Sequence, residues 1–214
     1  MIVVHERVRA ALADGRPVVS MDSTIFSTLG LPVPHNAEAL RRCKAAVEAG
    51  GAVPAVTAVV DGTWRVGLSE DEESRVLLGT RKVAERDLAV AAAPRWDVGV
   101  TTVSASVALA ARAGIGVFAT GGIGGVHRGV EVSGDVSADL DALAHHPVVT
   151  VCAGAKSFLD LARTLEHERG DRCTRDAGLR SGVQRGRERG VVAGRVELVG
   201  LRDRHGEQHP GLRS

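Results

Sequence analysis

The densest concentration of chemistry-bearing residues is Thr120-Gly121-Gly122-Ile123-Gly124-Gly125-Val126-His127-Arg128-Gly129. Glycines at 121, 122, 124 and 125 let the backbone approach a ligand closely and adopt positive φ. Such a loop can aim several N–H groups at an anion, with Thr120, His127 and Arg128 adding side-chain donors. Phosphate or substrate binding is one reading, and a tight turn packed on a neighbour is the other. It is not a nucleotide loop. The dinucleotide fingerprint begun at Gly122-Ile123-Gly124 needs glycine at 127, where His stands, and Ala155-Lys156-Ser157 lacks the glycine that precedes a P-loop lysine.

Lys156 follows the apolar run Val148–Cys152 and the small residues Ala153-Gly154-Ala155. A lysine desolvated at a buried strand end has a lowered pKa and a nucleophilic amine. Up to Glu166 the chain carries only Lys44, Lys82 and Lys156 beside 13 arginines, which favours a specific role. A lysine snorkelling from a helix start is the alternative. Asp135 and Asp139 flank Val136-Ser137-Ala138 and read as helix caps, or as a metal carboxylate plus a substrate contact. Asp22, opening Asp22-Ser23-Thr24 after a strand, reads as a general acid/base or as a turn cap. Lys82, near Arg81, Arg86 and Asp87, reads as a phosphate contact or as part of a solvated charged face. His145-His146 has no partner at metal-ligand spacing and is assigned to the surface.

The elements that must position these residues alternate between strand and helix patterns. Pro17–Met21 reads as a buried strand with its proline at the start. Asn36 can cap a helix over 37–49, stopped by Gly50-Gly51. Val53–Val60 reads as a strand turning at Asp61-Gly62 into Thr63–Leu68. Ser69-Glu70-Asp71-Glu72 is a capping box. Thr102–Arg112 is helix-permissive up to Gly114, Ile115–Ala119 is a short strand, and Ser137 or Asp135 can cap a helix through Ala144. Pro147–Cys152 is an apolar strand and Ser157–Glu166 an amphipathic helix. The alternation predicts an α/β fold with a mixed or mainly parallel sheet and flanking helices, and the change of composition near Glu166 marks an atypical C-terminal part. Ligands of such sheets sit at the carboxyl ends of strands, where the loops after Met21, Ala119 and Cys152 fall.

The 214 residues balance 27 basic against 26 acidic side chains, net +1, and only 2% are aromatic. Neither an electrostatic footprint nor stacking platforms for nucleic acid are present. The average conceals two parts: residues 1–166 are net −3, whereas 167–214 carry 11 Arg and 7 acidic residues, net +4. The tail holds 9 Gly and no Ile, Met, Phe or Trp. It reads as weakly structured, with one or two strands within Val191–Leu201, and its composition also fits a frameshifted reading frame. Cys43, Cys152 and Cys173 do not form a disulfide framework. No apolar run reaches about 18 residues, so a cytoplasmic setting without membrane contact is expected.

Together these stretches resemble the pseudouridine-5′-phosphate glycosidase family, also called pseudouridylate synthase. The motifs that carry the likeness are Asp22-Ser23-Thr24-Ile25, Pro32-Val33-Pro34-His35-Asn36, Gly51-Ala52-Val53-Pro54-Ala55, Lys82-Val83, Arg86-Asp87-Leu88, Thr101-Thr102-Val103, Phe118–Gly129, Asp135-Val136-Ser137-Ala138-Asp139-Leu140 and Val151-Cys152-Ala153-Gly154-Ala155-Lys156-Ser157. The resemblance covers residues 15–166. It implies reversible cleavage of the C–C glycosidic bond of pseudouridine 5′-phosphate to uracil and ribose 5-phosphate. It further implies a lysine imine, Mn²⁺ or another divalent cation, and a trimer. By motif position it implies Lys156 as nucleophile, Asp22 as catalytic carboxylate and Asp135 as metal carboxylate. Lys82, Val103, Thr120, His127, Ser137, Ala138 and Asp139 are implied as substrate contacts. This chain departs from the family at Asp22, where Glu is usual, and at Leu29-Gly30, where His-Gly is usual; family members are also longer and carry an active-site Asn beyond the match. The alternative expectations are an inactive truncated homologue that binds sugar phosphate or assembles with other chains, and a different lysine-imine enzyme such as an aldolase.

Overall fold

The computed structural model describes residues 1–173 and 196–198. The elements in chain order are β1 (Ile2–Val4), α1 (Glu6–Ala13), β2 (Val18–Met21), α2 (His35–Ala49), β3 (Val53–Val60), β4 (Thr63–Val66), α3 (Glu70–Leu77), β5 (Lys82–Val83), α4 (Leu88–Ala92), β6 (Val98–Thr101), α5 (Val103–Arg112), β7 (Val117–Thr120), α6 (Val130–Ser133), α7 (Ala138–His145), β8 (Val149–Cys152), α8 (Leu161–Cys173) and β9 (Val196–Leu198). The strands run β1-β4-β3-β2-β7-β8-β9, with β6 also on β3 and β5 on β6. Only the β3–β4 and β3–β6 pairings are antiparallel. The mainly parallel sheet with flanking helices is therefore as the alternation implied.

All eight residues of β3 are buried, which explains a run that is apolar except at Thr57. Pro54 is tolerated because Val53 N–H already points at Pro17 O on the β2 side. The missing donor of Pro54 faces away from β2. The β3–β4 hairpin turns on Asp61 and Gly62, both at positive φ (50° and 72°), the conformation an Asp-Gly turn supplies most readily. α5 is buried from Val103 to Ala110, so its Ser and Ala content reflects close packing under the sheet.

β2 and β6 lie on the same side of β3 and run towards each other. β2 pairs with 53–56 in parallel, and β6 pairs with 58–60 antiparallel. They stop on either side of Thr57, where backbone groups at both strand ends need partners. Buried hydroxyls supply them. Ser23 Oγ accepts from Thr101 N–H at 2.8 Å, Thr24 donates to Thr101 O at 2.8 Å, and Thr101 donates to Thr57 O at 2.7 Å. Thr57 Oγ1 lies 3.2 Å from Met21 O and 2.8 Å from both Thr101 Oγ1 and Ser106 Oγ.

Three expectations are corrected. Asn36 does not cap α2: the helix begins at His35, and Asn36 is buried, donating through Nδ2 to Leu77 O and so tying α2 to the end of α3. The last helix does not start at Ser157. Residues around Ala155 and Leu159 are drawn into bridges with the glycine loop, and Asp160 caps the helix by accepting from Arg163 N–H. His146 is not a free surface residue but half-buried, with Nε2 2.9 Å from Glu85 Oε1. Ser69 does form the expected capping box with Glu72, and Ser137 rather than Asp135 is the cap of α7. α8 continues past the composition change at Glu166, and β9 pairs in parallel with β8. The remainder of the tail reading lies outside the described residues.

Thr57→Val keeps the shape but strips the cluster of its central hydroxyl. A loss of about 1–3 kcal/mol is expected, since buried partners are left unpaired. Urea unfolding should show a lower midpoint with an unchanged slope.

Candidate functional site

The parallel strands β2, β7 and β8 are adjacent, so their carboxyl ends form one edge. Asp22, Thr120 and the Ala153–Lys156 segment leave from that edge. The sequence thus places its unusual loops where open α/β sheets bind ligands.

Past Thr120 the glycine loop runs extended between two other segments. On one side Ile123 N–H donates to Gly154 O at 3.0 Å and Lys156 N–H to Ile123 O at 3.1 Å. On the other side His127 N–H donates to Asp135 O and Ser137 N–H to Gly125 O, both at 3.0 Å. The glycines are required by contact rather than by torsion. A Cβ at Gly121 would sit 2.8 Å from Ile25 Cδ1, one at Gly124 2.8 Å from Asp139 Oδ2, and one at Gly125 2.5 Å from Thr164 Oγ1. A Cβ at Gly122 would sit tightly, 3.2 Å from Gly154 O, and 3.7 Å from Lys156 Cγ, which places the lysine stem against the loop.

Lys156 is exposed, which corrects the expectation of a lysine desolvated at a buried strand end. Asp22 is the buried group instead, at 5% exposure. Its Oδ2 accepts from Ile25 N–H at 3.4 Å, and its Oδ1 has no hydrogen-bond partner among the described residues. Burial pushes the Asp22 carboxyl up to about 6, against the pull of the nearby Thr120 hydroxyl and Ile25 N–H; the charge of Asp139 adds to the rise. The turn reading of Asp22 is thus met by its contact with Ile25 N–H in the turn over Thr24–Phe26, and its burial makes it a weaker acid than an ordinary carboxyl.

The other predicted residues fall around this core. Asp139 is buried and accepts from Ser104 N–H at 3.0 Å and Gly124 N–H at 2.8 Å. Ser137 Oγ accepts from Asp139 N–H, and Ala138 begins α7. Val103 is buried at the start of α5. Lys82 is exposed at the rim, and its strand joins the cluster through Thr102 N–H donating to Val83 O. Asp135 stands on the outer side of the braid with its Oδ2 3.7 Å from His127 Nδ1, and His127 rests 5.7 Å from the Phe158 ring. No group of three or more His, Cys, Asp or Glu suited to a metal gathers among the described residues. The exposed Asp135 carboxylate is an oxygen donor of the type a hard cation takes while keeping most of its waters.

Sequence reasoning missed Thr164 and Ser104. Thr164 is 1% exposed, donates to Asp160 O at 2.7 Å and accepts from Val126 N–H at 3.0 Å, so α8 holds the glycine loop from behind. Ser104 Oγ accepts from Glu85 N–H while its own N–H is held by Asp139. Ser104 is a hydroxyl on an otherwise buried helix, which pattern alone does not separate from a small packing residue, and Thr164 is a lone buried hydroxyl among exposed residues of α8, which gives no pattern at all.

The chain matches the family model described as indigoidine synthase A like protein over residues 7–169. It is 52% identical over 164 residues to a protein of Myxococcus xanthus named pseudouridine-5′-phosphate glycosidase, covering 75% of this chain and 54% of that one. Proteins of the same name from Chloroflexus aurantiacus and Methylobacterium nodulans are 50% and 56% identical, covering 78% and 75% of this chain and 55% and 48% of theirs. Among solved structures, the prealnumycin C-glycosynthase in complex with ribulose 5-phosphate superposes with a TM-score of 0.73 at 35% identity, covering 80% of this chain and 55% of that one. An indigoidine synthase A-like protein of Thermotoga maritima gives 0.71 at 35% identity, covering 80% and 56%. The chain spans about half the length of the curated relatives it matches.

The raised Asp22 value has a thermodynamic signature. Its folded-state pKa exceeds the unfolded one, so the folded state binds the extra proton between about pH 4 and 6, and stability falls as pH rises through that window. Asp22→Asn should flatten this slope. Urea midpoints measured at intervals from pH 4 to pH 7 should decline in the wild type more than in the variant; parallel profiles would exclude a raised Asp22.

Proposed function

The chain belongs to the family of indigoidine synthase A-like proteins, and we propose that it cleaves the C–C glycosidic bond of pseudouridine 5′-phosphate reversibly, giving uracil and ribose 5-phosphate. The observation that supports the reading is the placement of Lys156 against the glycine loop after β8, on the same strand edge from which the buried carboxyl of Asp22 leaves β2, with β7 between them. The relatives that match over this stretch at 50–56% identity bear the corresponding name.

A C–C glycosidic bond has no leaving oxygen to protonate, so the paired-carboxylate route of ordinary glycosidases does not serve. Once deprotonated, the amine of Lys156 bonds to the anomeric carbon while the bond from that carbon to the ring oxygen breaks; the nitrogen gives up one proton and the ring oxygen takes one, which leaves the nitrogen a lone pair. The nitrogen lone pair then forms a C=N bond as the C–C bond breaks. The electron pair left on uracil C5 takes a proton. Water hydrolyses the imine, releasing ribose 5-phosphate and restoring Lys156. Asp22 is the proton donor and acceptor in this sequence, its acidity matched to neutral pH by burial. Thr120, His127 and Lys82 supply donors for the phosphate end, while Val103 and Ser137-Ala138-Asp139 shape the opposite wall. Asp135, with His127 beside it, would hold Mn²⁺ or a similar divalent cation, which when bound supplies a positive centre for substrate oxygens. By the same likeness, the protein works as a trimer. No helix among the described residues is long and apolar enough to cross a membrane.

Incubation of pseudouridine 5′-phosphate with the protein and Mn²⁺ should release uracil, detected by chromatography, and Lys156→Ala should abolish the release. Borohydride with ribose 5-phosphate should add the mass of a reduced adduct to wild type but not to Lys156→Ala. Adduct formation without uracil release would favour a chain that binds sugar phosphate without turnover. Uracil release with no adduct would remove the imine.

A further inference from the structure

The geometry points to Asp139 as a positioning residue, whose carboxylate fixes the glycine loop against the first turn of α5 and so sets the shape of the site. This rests on the reading of the site as the glycosidase centre. Asp139 is 6% exposed, and each of its oxygens faces a backbone amide from a different segment: Oδ1 receives Ser104 N–H at 3.0 Å and Oδ2 receives Gly124 N–H at 2.8 Å. Charge-assisted bonds of this kind are the short, strong ones, and they offset the burial of the carboxylate. Ser137 Oγ accepts from Asp139 N–H, which ties the start of α7 to the same arrangement. Gly124 has no side chain because one would meet Ser137 and Asp139 Oδ2, so the close approach is built into both partners.

The clamp has a second effect through space. The charge of Asp139 adds to the rise that burial gives the Asp22 carboxyl. The residue that holds the loop therefore also adjusts the acid that works beside it. Its conformation leaves its oxygens turned to the backbone, a different role from direct contact with substrate.

NMR on the full chain tests this independently of turnover. In wild type, the Gly124 and Ser104 amide protons should lie downfield and exchange slowly with solvent. In Asp139→Asn both should move upfield and exchange faster, and the Asp22 carboxyl midpoint should fall. Wild-type amides at ordinary shifts with fast exchange would overturn the clamp even if the variant failed to fold. If the protein turns over, Asp139→Asn should lower kcat by about 10²-fold, the scale of a misplacement of ~1 Å, with a smaller change in KM. A rise in KM alone would assign Asp139 to substrate contact instead. Absence of turnover in wild type would count against the glycosidase reading and leave the amide result standing.

Discussion

Two strands that share one side of a third, running tip to tip, create a gap in the hydrogen-bond ladder that a sheet interior cannot leave open. β2 and β6 meet in this way over Thr57. Ser23, Thr24, Thr57, Thr101 and Ser106 fill the gap with hydroxyls that are mostly inaccessible to water. The strands then turn away from the junction, β2 into Asp22 and the turn over Thr24–Phe26, β6 into Thr102 and the first residues of α5. Both walls of the site start from this point. Hydroxyls suit the task because each accepts and donates in a small volume.

The glycine loop is the second construction. It is extended chain rather than a turn, and its bridges to 135–137 and 155–159 make it the centre of a small three-segment braid beyond the sheet edge. Side chains complete it: Asp139 from α7 holds Gly124, and Thr164 from α8 holds Val126. Neither the density of glycines nor their conformational freedom alone accounts for the sequence there. Three of the four positions are glycine because a neighbouring atom already occupies the space of a Cβ.

Much of this was legible in the residues. The strand-helix alternation gave the fold class, Asp61-Gly62 gave the hairpin, and Ser69 to Glu72 gave a capping box, because those signals are local. Asn36 misled because a capping side chain and a tertiary tether to Leu77 O have the same short polar chemistry. Ser157–Glu166 misled in its start because pairing with the glycine loop competes with helix for the backbone of 155–159, and only the tertiary partner decides. The site loops were found by their composition. The burial of Asp22 and exposure of Lys156 were not, since both follow from how far each loop projects beyond the strand ends.

The supports of the glycine loop are nearly all drawn from residues 121–164, close together along the chain, whereas Asp22 arrives from the first strand of the parallel row and is anchored by pairings such as Ser23–Thr101, 78 residues apart. Contacts of such different sequence separation are closed against different entropy costs, the long ones against the larger. The braid around the glycine loop therefore rests on mostly local closures, whereas the place of Asp22 on the strand edge depends on the long-range docking of β2.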